Sequence, residues 1–227
     1  MPIQHLHCPL SAIIKPSGRH TMPKLDLRKQ YKEFYQAGPE PRLLTVPPLT
    51  YLCLDGRGDP NHSPDFGAAM QALYALAYGI KFAAKKQNPS MDFTVMALEA
   101  LWWSENMETF SLDRRDEWLW RAVILQPEFV TPALLDAVRA DVLTRKPEFS
   151  AALQKAFLFT AEEGPCAQIL HNGPYSTERP VVEALHAFID AQGLQKRGKH
   201  HEIYLSDTNR AEPERMQTII RQPVVEK

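Results

Sequence analysis

The sequence predicts an α+β fold built from two tandem βαββ units related by a pseudo-two-fold axis, with antiparallel sheets covered by helices. Three observations predict it. Tyr51 to Leu76 reads as a strand, a glycine turn and a capped helix with proline in its first turn. Cys166 to Phe188 reads the same way. Each stretch is followed by two strand-like segments, at 92–103 and 116–125 in the first half and at 200–206 and 216–221 in the second. Two such units leave a concavity between their helices and sheets.

Composition narrows the class. Of 227 residues 44% are hydrophobic and 23% charged, enough apolar surface to fold without staples. Lys and Arg number 26 against 27 Asp and Glu. No basic excess points to nucleic acid and no basic tract to a membrane, so neutral molecules are favoured over polyanions as partners. Cys8, Cys53 and Cys166 form no paired motif, and an odd, sparse set fits a reducing compartment. Met1 to His20 lacks the apolar core of a signal peptide, and no apolar run reaches the roughly 18 residues of a membrane span. A soluble, cytoplasmic protein is expected.

Residues 1–22, with three prolines, a glycine and scattered polar groups, read as a flexible N-terminal extension. His5, His7 and Cys8 lie within it, but no fourth ligand stands at a recognisable spacing, so no metal site is expected. Leu25 to Ala37 is a short lead-in segment ended by Gly38-Pro39. Leu43, Thr45 and Tyr51 to Leu54 are strand-like, and 55–60 reads as a turn without the three spaced glycines of a dinucleotide loop.

Ser63 caps a helix with Pro64 at its first position and Asp65 in its first turn. Phe66, Met70, Leu73, Ala77 and Ile80 recur at helical spacing and mark the core face. Tyr74 and Tyr78, four apart beside that stripe, either pack or rim a cleft.

Asn88-Pro89 ends the helix and Phe93 opens a strand that is apolar on both faces, so each face is covered. Glu99, in the row with Phe93, Val95, Leu101 and Trp103, is a carboxylate among apolar neighbours. It is either a structural acid with a partner or a site residue, since a buried carboxylate is costly alone. Trp102 and Trp103 point to opposite faces of a regular strand. The next strand, Glu117 to Leu125, sets Trp118 and Trp120 on one side. Four Trp within 19 positions form either a Trp-rich core or the aromatic wall of a site for a planar ligand.

Thr131-Pro132 caps the helix of a connector spanning 127–154, with Leu134, Leu135, Val138, Val142 and Leu143 as its apolar stripe. In the second half Ala167, Ile169 and His171 share one strand face, and Cys166, Gln168 and Leu170 the other. Gly173-Pro174 turns the chain, and Ser176 or Thr177 is placed to N-cap the helix opened by Glu178, Arg179 and Pro180. In the last strong strand Glu202 and Tyr204 share a face opposite Ile203 and Leu205.

No serine-hydrolase elbow, phosphate-binding loop, zinc helix or Cys-x-x-Cys pair occurs. Carboxylates, phenols and indoles remain. They stack on flat ligands and move protons through water, and no cofactor is expected.

The stretch from Glu162 to Pro180, with Leu98-Glu99-Ala100-Leu101-Trp102-Trp103 before it and His200 to Asp207 after it, resembles the stand-alone GyrI-like proteins, DNA-gyrase-inhibitor-like small-molecule-binding domains. The resemblance runs from about Pro23 to Pro223. Such proteins usually carry Pro and Gly where this chain has Ala97 and Ala100, while the acid and both indoles are kept. The Glu163-Gly164 pair, His171-x-Gly173-Pro174-Tyr175 and Glu202-x-Tyr204 match as they stand.

The resemblance implies a single domain over 23–227, with repeat one at about 41–126, a connector helix at about 127–154, repeat two at about 155–223 and a ligand pocket between the halves. It also implies two kinds of function. One is binding or sequestering of drug-like, aromatic or cationic molecules. The other is hydrolysis of the cyclopropane of planar alkylating agents of the duocarmycin or yatakemycin type, for detoxification and antibiotic resistance. In the second, Glu163 or Glu202 is the general base on water, and Trp102, Trp103, Tyr74 and Tyr78 hold the flat ring. Tyr175, His171 or Tyr204 then donates to the developing phenolate, with Glu99 also a pocket candidate.

Overall fold

The computed structural model describes residues 24–106, 113–206 and 211–227. The expected N-terminal extension, with His5, His7 and Cys8, lies outside the described residues. Among the described residues nine strands form one sheet: β1 Arg42–Val46, β2 Leu49–Arg57, β3 Leu98–Trp103, β4 Leu119–Leu125, β5 Phe157–Ala161, β6 Gly164–Asn172, β7 Leu194–Lys196, β8 His200–Tyr204 and β9 Gln217–Glu226. The helices are α1 Leu27–Gln30, α2 Pro64–Gln87, α3 Pro132–Arg145, α4 Ser150–Lys155 and α5 Arg179–Ala191. Helices on an antiparallel sheet make the α+β class the sequence predicts.

The strands run β1-β6-β9-β8-β3-β4-β2-β5, with β7 beside β9, and every pairing between them is antiparallel. β3 and β8 therefore meet at the middle of the sheet, with β4 and β2 beyond one and β9 and β6 beyond the other. Two-residue alternation divides the side chains between two faces. On one face α2 lays Phe66, Ala69, Leu73 and Ile80 on the same core as Leu52, Leu54, Ala122 and Ile124. Also on that face, α5 buries Val182, Leu185 and Ile189 against Ala167, Ile169 and Ile220. On the opposite face the lead-in segment closes the sheet, with Phe34 and Tyr35 buried.

Several boundaries differ from the sequence reading. The strand expected from Phe93 begins at Leu98. The preceding backbone bonds instead to the lead-in segment, Thr94 N–H donating to Leu25 C=O at 2.8 Å and Leu25 N–H to Asp92 C=O at 2.9 Å. β2 runs on to Arg57 through the expected turn. Gly56 makes this possible, because a Cβ there would lie 2.1 Å from Cζ2 of Trp120, whose indole covers the strand. The turn follows, with Asp59 accepting from the backbone and side chain of Asn61. β5 and the three-residue β7 were not foreseen. Glu178, not Ser176 or Thr177, is the N-cap of α5. Tyr175–Thr177 form a 3₁₀ turn, and the Thr177 hydroxyl donates to Pro174 C=O at 2.8 Å.

Candidate ligand-binding site

A cleft of about 1760 Å³ opens on the helix-covered face of the sheet. Its floor follows from the β3–β8 seam. Ala100 pairs with Glu202 and Trp102 with His200, so these four point one way while Glu99, Leu101, His201 and Ile203 point the other. Glu202 and Trp102 thus reach the cleft from adjacent strands.

The apolar wall is a ring cluster. Phe66 lies 5.5 Å from Trp102 and 5.0 Å from Trp120 between ring centroids, and Trp102 lies 5.2 Å from Trp118. Phe66, Trp102 and Trp118 line the cleft, while Trp120 sits behind them against Gly56. The polar wall stands opposite. Tyr204 donates its hydroxyl to Glu202 Oε2 at 2.8 Å, and Tyr175 packs edge-on to Tyr204 at 5.7 Å. His200 Nε2 lies 3.3 Å from Glu202 Oε1.

Glu178 completes this wall. As N-cap of α5 it stands at the end of a strand–turn–helix unit, and its carboxyl lines the same cleft as Glu202. Both carboxyls are buried. Burial and then the charge of Glu202 push the Glu178 carboxyl well above the usual carboxylate range, against the opposing pull of Arg115 and a hydrogen bond from Thr218. Among the described residues Glu178 Oε1 has no hydrogen-bond partner. A buried polar oxygen facing a cleft is suited to meet a ligand or water. Burial and the same carboxylates raise the Tyr175 and Tyr204 phenols, which stay protonated and able to donate.

A second polar cluster occupies the opposite face. His201 Nδ1 lies 2.9 Å from Glu163 Oε1 and its Nε2 2.9 Å from Glu99 Oε2. Tyr35 donates to Glu99 Oε1 at 2.6 Å, and Arg221 Nη1 donates to Glu163 Oε2 at 3.0 Å. Arg221 also donates to Phe34 C=O, and Gln168 to Gln36 C=O, so the network holds the lead-in segment on the sheet. Burial favours neutral His201, but Glu163 and Glu99 outweigh it and lift the imidazole to about 9. Burial likewise disfavours the Glu163 charge, yet His201 and Arg221 hold its carboxyl at about 2.

The structure therefore separates the residues singled out in the sequence. Trp102, Tyr74, Tyr78, Tyr175, Glu202 and Tyr204 line the cleft. Glu99 and Glu163 lie in the network on the other face, and Trp103 faces that side too, with Lys199 Nζ 3.4 Å from its ring centroid. His171 is buried beneath its own turn, Nε2 lying 3.1 Å from Pro174 C=O. Trp118, one of the four indoles read as core or aromatic wall, lines the cleft too, as do Glu178, Phe66 and Arg115, which the sequence did not mark as site residues. The signal for Glu178 was present in its position beside a buried strand at a helix start. Among the described residues no group of three or more His, Cys, Asp or Glu is placed to hold a metal, and no helix is long and apolar enough to cross a membrane.

Comparison with known proteins bears on this cleft. Residues 39–224 match the GyrI-like small molecule binding domain. The chain belongs to the GyrI-like family. A solved structure of an uncharacterized conserved protein from Listeria innocua is 39% identical to this GyrI-like chain, with a TM-score of 0.82, covering 89% of this chain and all of its own. A hydrolase from Listeria innocua is 37% identical over the same shares, with a TM-score of 0.77. The EcmrR C-terminal domain, 11% identical with a TM-score of 0.51 over 83% of this chain and 98% of its own, shares the fold. No functionally curated protein matches the chain.

Proposed function

We propose that this GyrI-like domain hydrolyses the strained cyclopropane of a planar aromatic alkylating agent, with Glu202 as general base and Glu178 as the protonated acid. The observation that carries the reading is the buried Glu178–Glu202 pair facing the wall of Phe66, Trp102 and Trp118. Glu178, its carboxyl pushed up by burial and by the charge of Glu202, holds the proton of the pair. The 37% identity to a chain that is itself a hydrolase supports catalysis over passive binding.

In this mechanism the indoles and Phe66 clamp the flat ring with its edge along the polar wall, the cyclopropane at Glu202 and the dienone oxygen at Tyr175 and Glu178. Glu202, oriented by the Tyr204 hydroxyl at 2.8 Å, takes a proton from water. The water oxygen forms a bond to the cyclopropane methylene as the ring C–C bond breaks, and that electron pair passes to the dienone oxygen. Tyr175 or Glu178 donates to this oxygen as it becomes a phenol, so the product is the substrate plus one water. Proton transfer of this kind contributes about 10²–10⁴-fold, with strain relief and aromatisation supplying the driving force. Such a reaction would protect a cell from the alkylator.

The test is incubation with a spirocyclopropyl-cyclohexadienone followed by mass spectrometry. A gain of one water that disappears in Glu202→Gln supports the reading. Unchanged compound that still quenches Trp fluorescence overturns catalysis in favour of a sequestering role.

A further inference from the structure

The cleft is larger than one flat ring requires. Small-molecule pockets commonly hold about 300–1000 Å³, against about 1760 Å³ here. Its long side is a single row on α2: Phe66, Met70, Tyr74, Tyr78, Phe82 and Lys86 all line it, each four residues from the next. Four residues turn a helix by about 400°, so the row drifts about 40° per step and climbs about 30 Å in five steps. The drift carries it from the core to the surface. Phe66 is buried, Met70 and Tyr74 are half-buried, and Tyr78 and Phe82 are 48% and 60% exposed. Those two are the most exposed large apolar side chains among the described residues. Their rings stack with centroids 6.4 Å apart, and Tyr74 lies a further 6.4 Å inward. Tyr74 joins the two sections, since its hydroxyl accepts from Leu98 N–H at 3.2 Å on β3. Across the groove α3 contributes Val138 and Val142, and the far end carries Lys86, Arg145 and Lys146 against Asp141.

We propose that the cleft is a two-station trough for an elongated ligand, whose second flat ring system stacks on Tyr78 and Phe82 and whose far end is acidic. The inner station rests on the function proposed above, while the outer one rests on the α2 row. Continuity with the inner site, paired exposed rings and an excess of cations at the far end all point to such an occupant. Tyr78 and Phe82 then select for substrate length.

The experiment measures binding by quenching of Trp fluorescence, independently of any turnover. The probes are 2-naphthol, N-(2-naphthyl)naphthalene-2-carboxamide and the same amide bearing a 6-carboxylate on the acyl ring. The amide is expected to bind about tenfold tighter than 2-naphthol, the gain of one ring stacking on another, and the carboxylate tighter still. Phe82→Ala should remove the gain of the amide while 2-naphthol binds as before. Lys86→Gln should remove the gain of the carboxylate and weaken its salt dependence. An amide that binds no tighter than 2-naphthol, or a gain that survives Phe82→Ala, overturns the outer station. So does a dimer in sedimentation that Phe82→Ala dissolves, because a second copy then covers the row. Absence of water addition with these affinities intact would count against the proposed reaction alone.

Discussion

His201 and Glu99 stand 102 residues apart in the chain, yet Nε2 of one lies 2.9 Å from Oε2 of the other in the buried interior. With Glu163 on the second ring nitrogen, the imidazolium lies between two carboxylates, one on β3 and one in the connection just before β6. His201→Ala leaves both acids short of a counter-charge. It is expected to cost about 3–5 kcal/mol, as for other broken buried pairs, read from urea unfolding at pH 7.

The same residue sets an alkaline limit. Its folded pKa is about 9, above the ordinary value near 6.5. Its contribution is complete below about pH 6.5 and is lost as pH rises through 9, a change on the order of 3 kcal/mol. Glu178 has the same sign, because its pKa is also raised. The comparison that isolates His201 is the slope of unfolding free energy between pH 6.5 and 9.5 in the parent and in His201→Gln. Equal slopes would sink the assignment.

Glu163 and Glu202 are expected to fail in different ways. Glu163 Oε1 and Oε2 are taken by His201 and Arg221, so Glu163→Gln should destabilise the fold by several kcal/mol and leave turnover per folded molecule within a few-fold. The parent should also lose stability in acid, since the carboxyl held at about 2 contributes fully above about pH 4.5 and not below 2. Glu202→Gln should unfold like the parent but turn over about 10²–10⁴-fold more slowly. The measurement is kcat for both variants beside their melting curves. Loss of turnover in well-folded Glu163→Gln would reverse the roles.

This division shows how far the sequence could be read. Alternation correctly set Glu202 with Tyr204 and Trp102 apart from Trp103, and the helix signals placed α2 and α5. It could not say which face of each strand meets a helix, because β3 and β8 are buried on both. Only the pairing of Ala100 with Glu202 puts that acid under α2. The cover over Glu99 is Tyr35 of the lead-in segment, which is held on the sheet by carbonyls of Glu33, Phe34 and Gln36 accepting from Gln168 and Arg221, bonds that no side-chain pattern reveals. The position of Glu178 at a helix start is legible, but its capping role is not, since Ser and Thr beside a helix start are the stronger caps. Here Thr177 spends its hydroxyl on Pro174.

Glu178 should govern the alkaline limb of turnover. With its pKa raised to about 9, the acid is present at neutral pH and is lost as pH passes that value. The kcat profile is therefore expected to fall above pH 9. Glu178→Gln should lower kcat and abolish this limb, because the amide offers a hydrogen bond but no proton. A limb that persists unchanged in Glu178→Gln would assign it to another group.

Gly79 tests the trough's own framework, because two rules disagree there. In the interior of α2, alanine is favoured over glycine by about 0.8–1.0 kcal/mol. Yet a Cβ at Gly79 would lie 2.5 Å from Val138 Cγ1 and 3.4 Å from Val142 Cγ2 on α3. Valine in a helix holds essentially one rotamer, so the methyl cannot swing aside and α3 must move. Overpacking of this kind costs about 1–3 kcal/mol, more than the propensity gain. Gly79→Ala should therefore lower the melting temperature by a few degrees. Truncating the partner changes the balance. In a Val138→Ala background the added methyl occupies vacated space, and Gly79→Ala should raise the melting temperature relative to Val138→Ala alone. Stabilisation by Gly79→Ala in the parent would mean that α2 and α3 do not approach closely at this crossing, and the groove beside Tyr78 would then be wider than described.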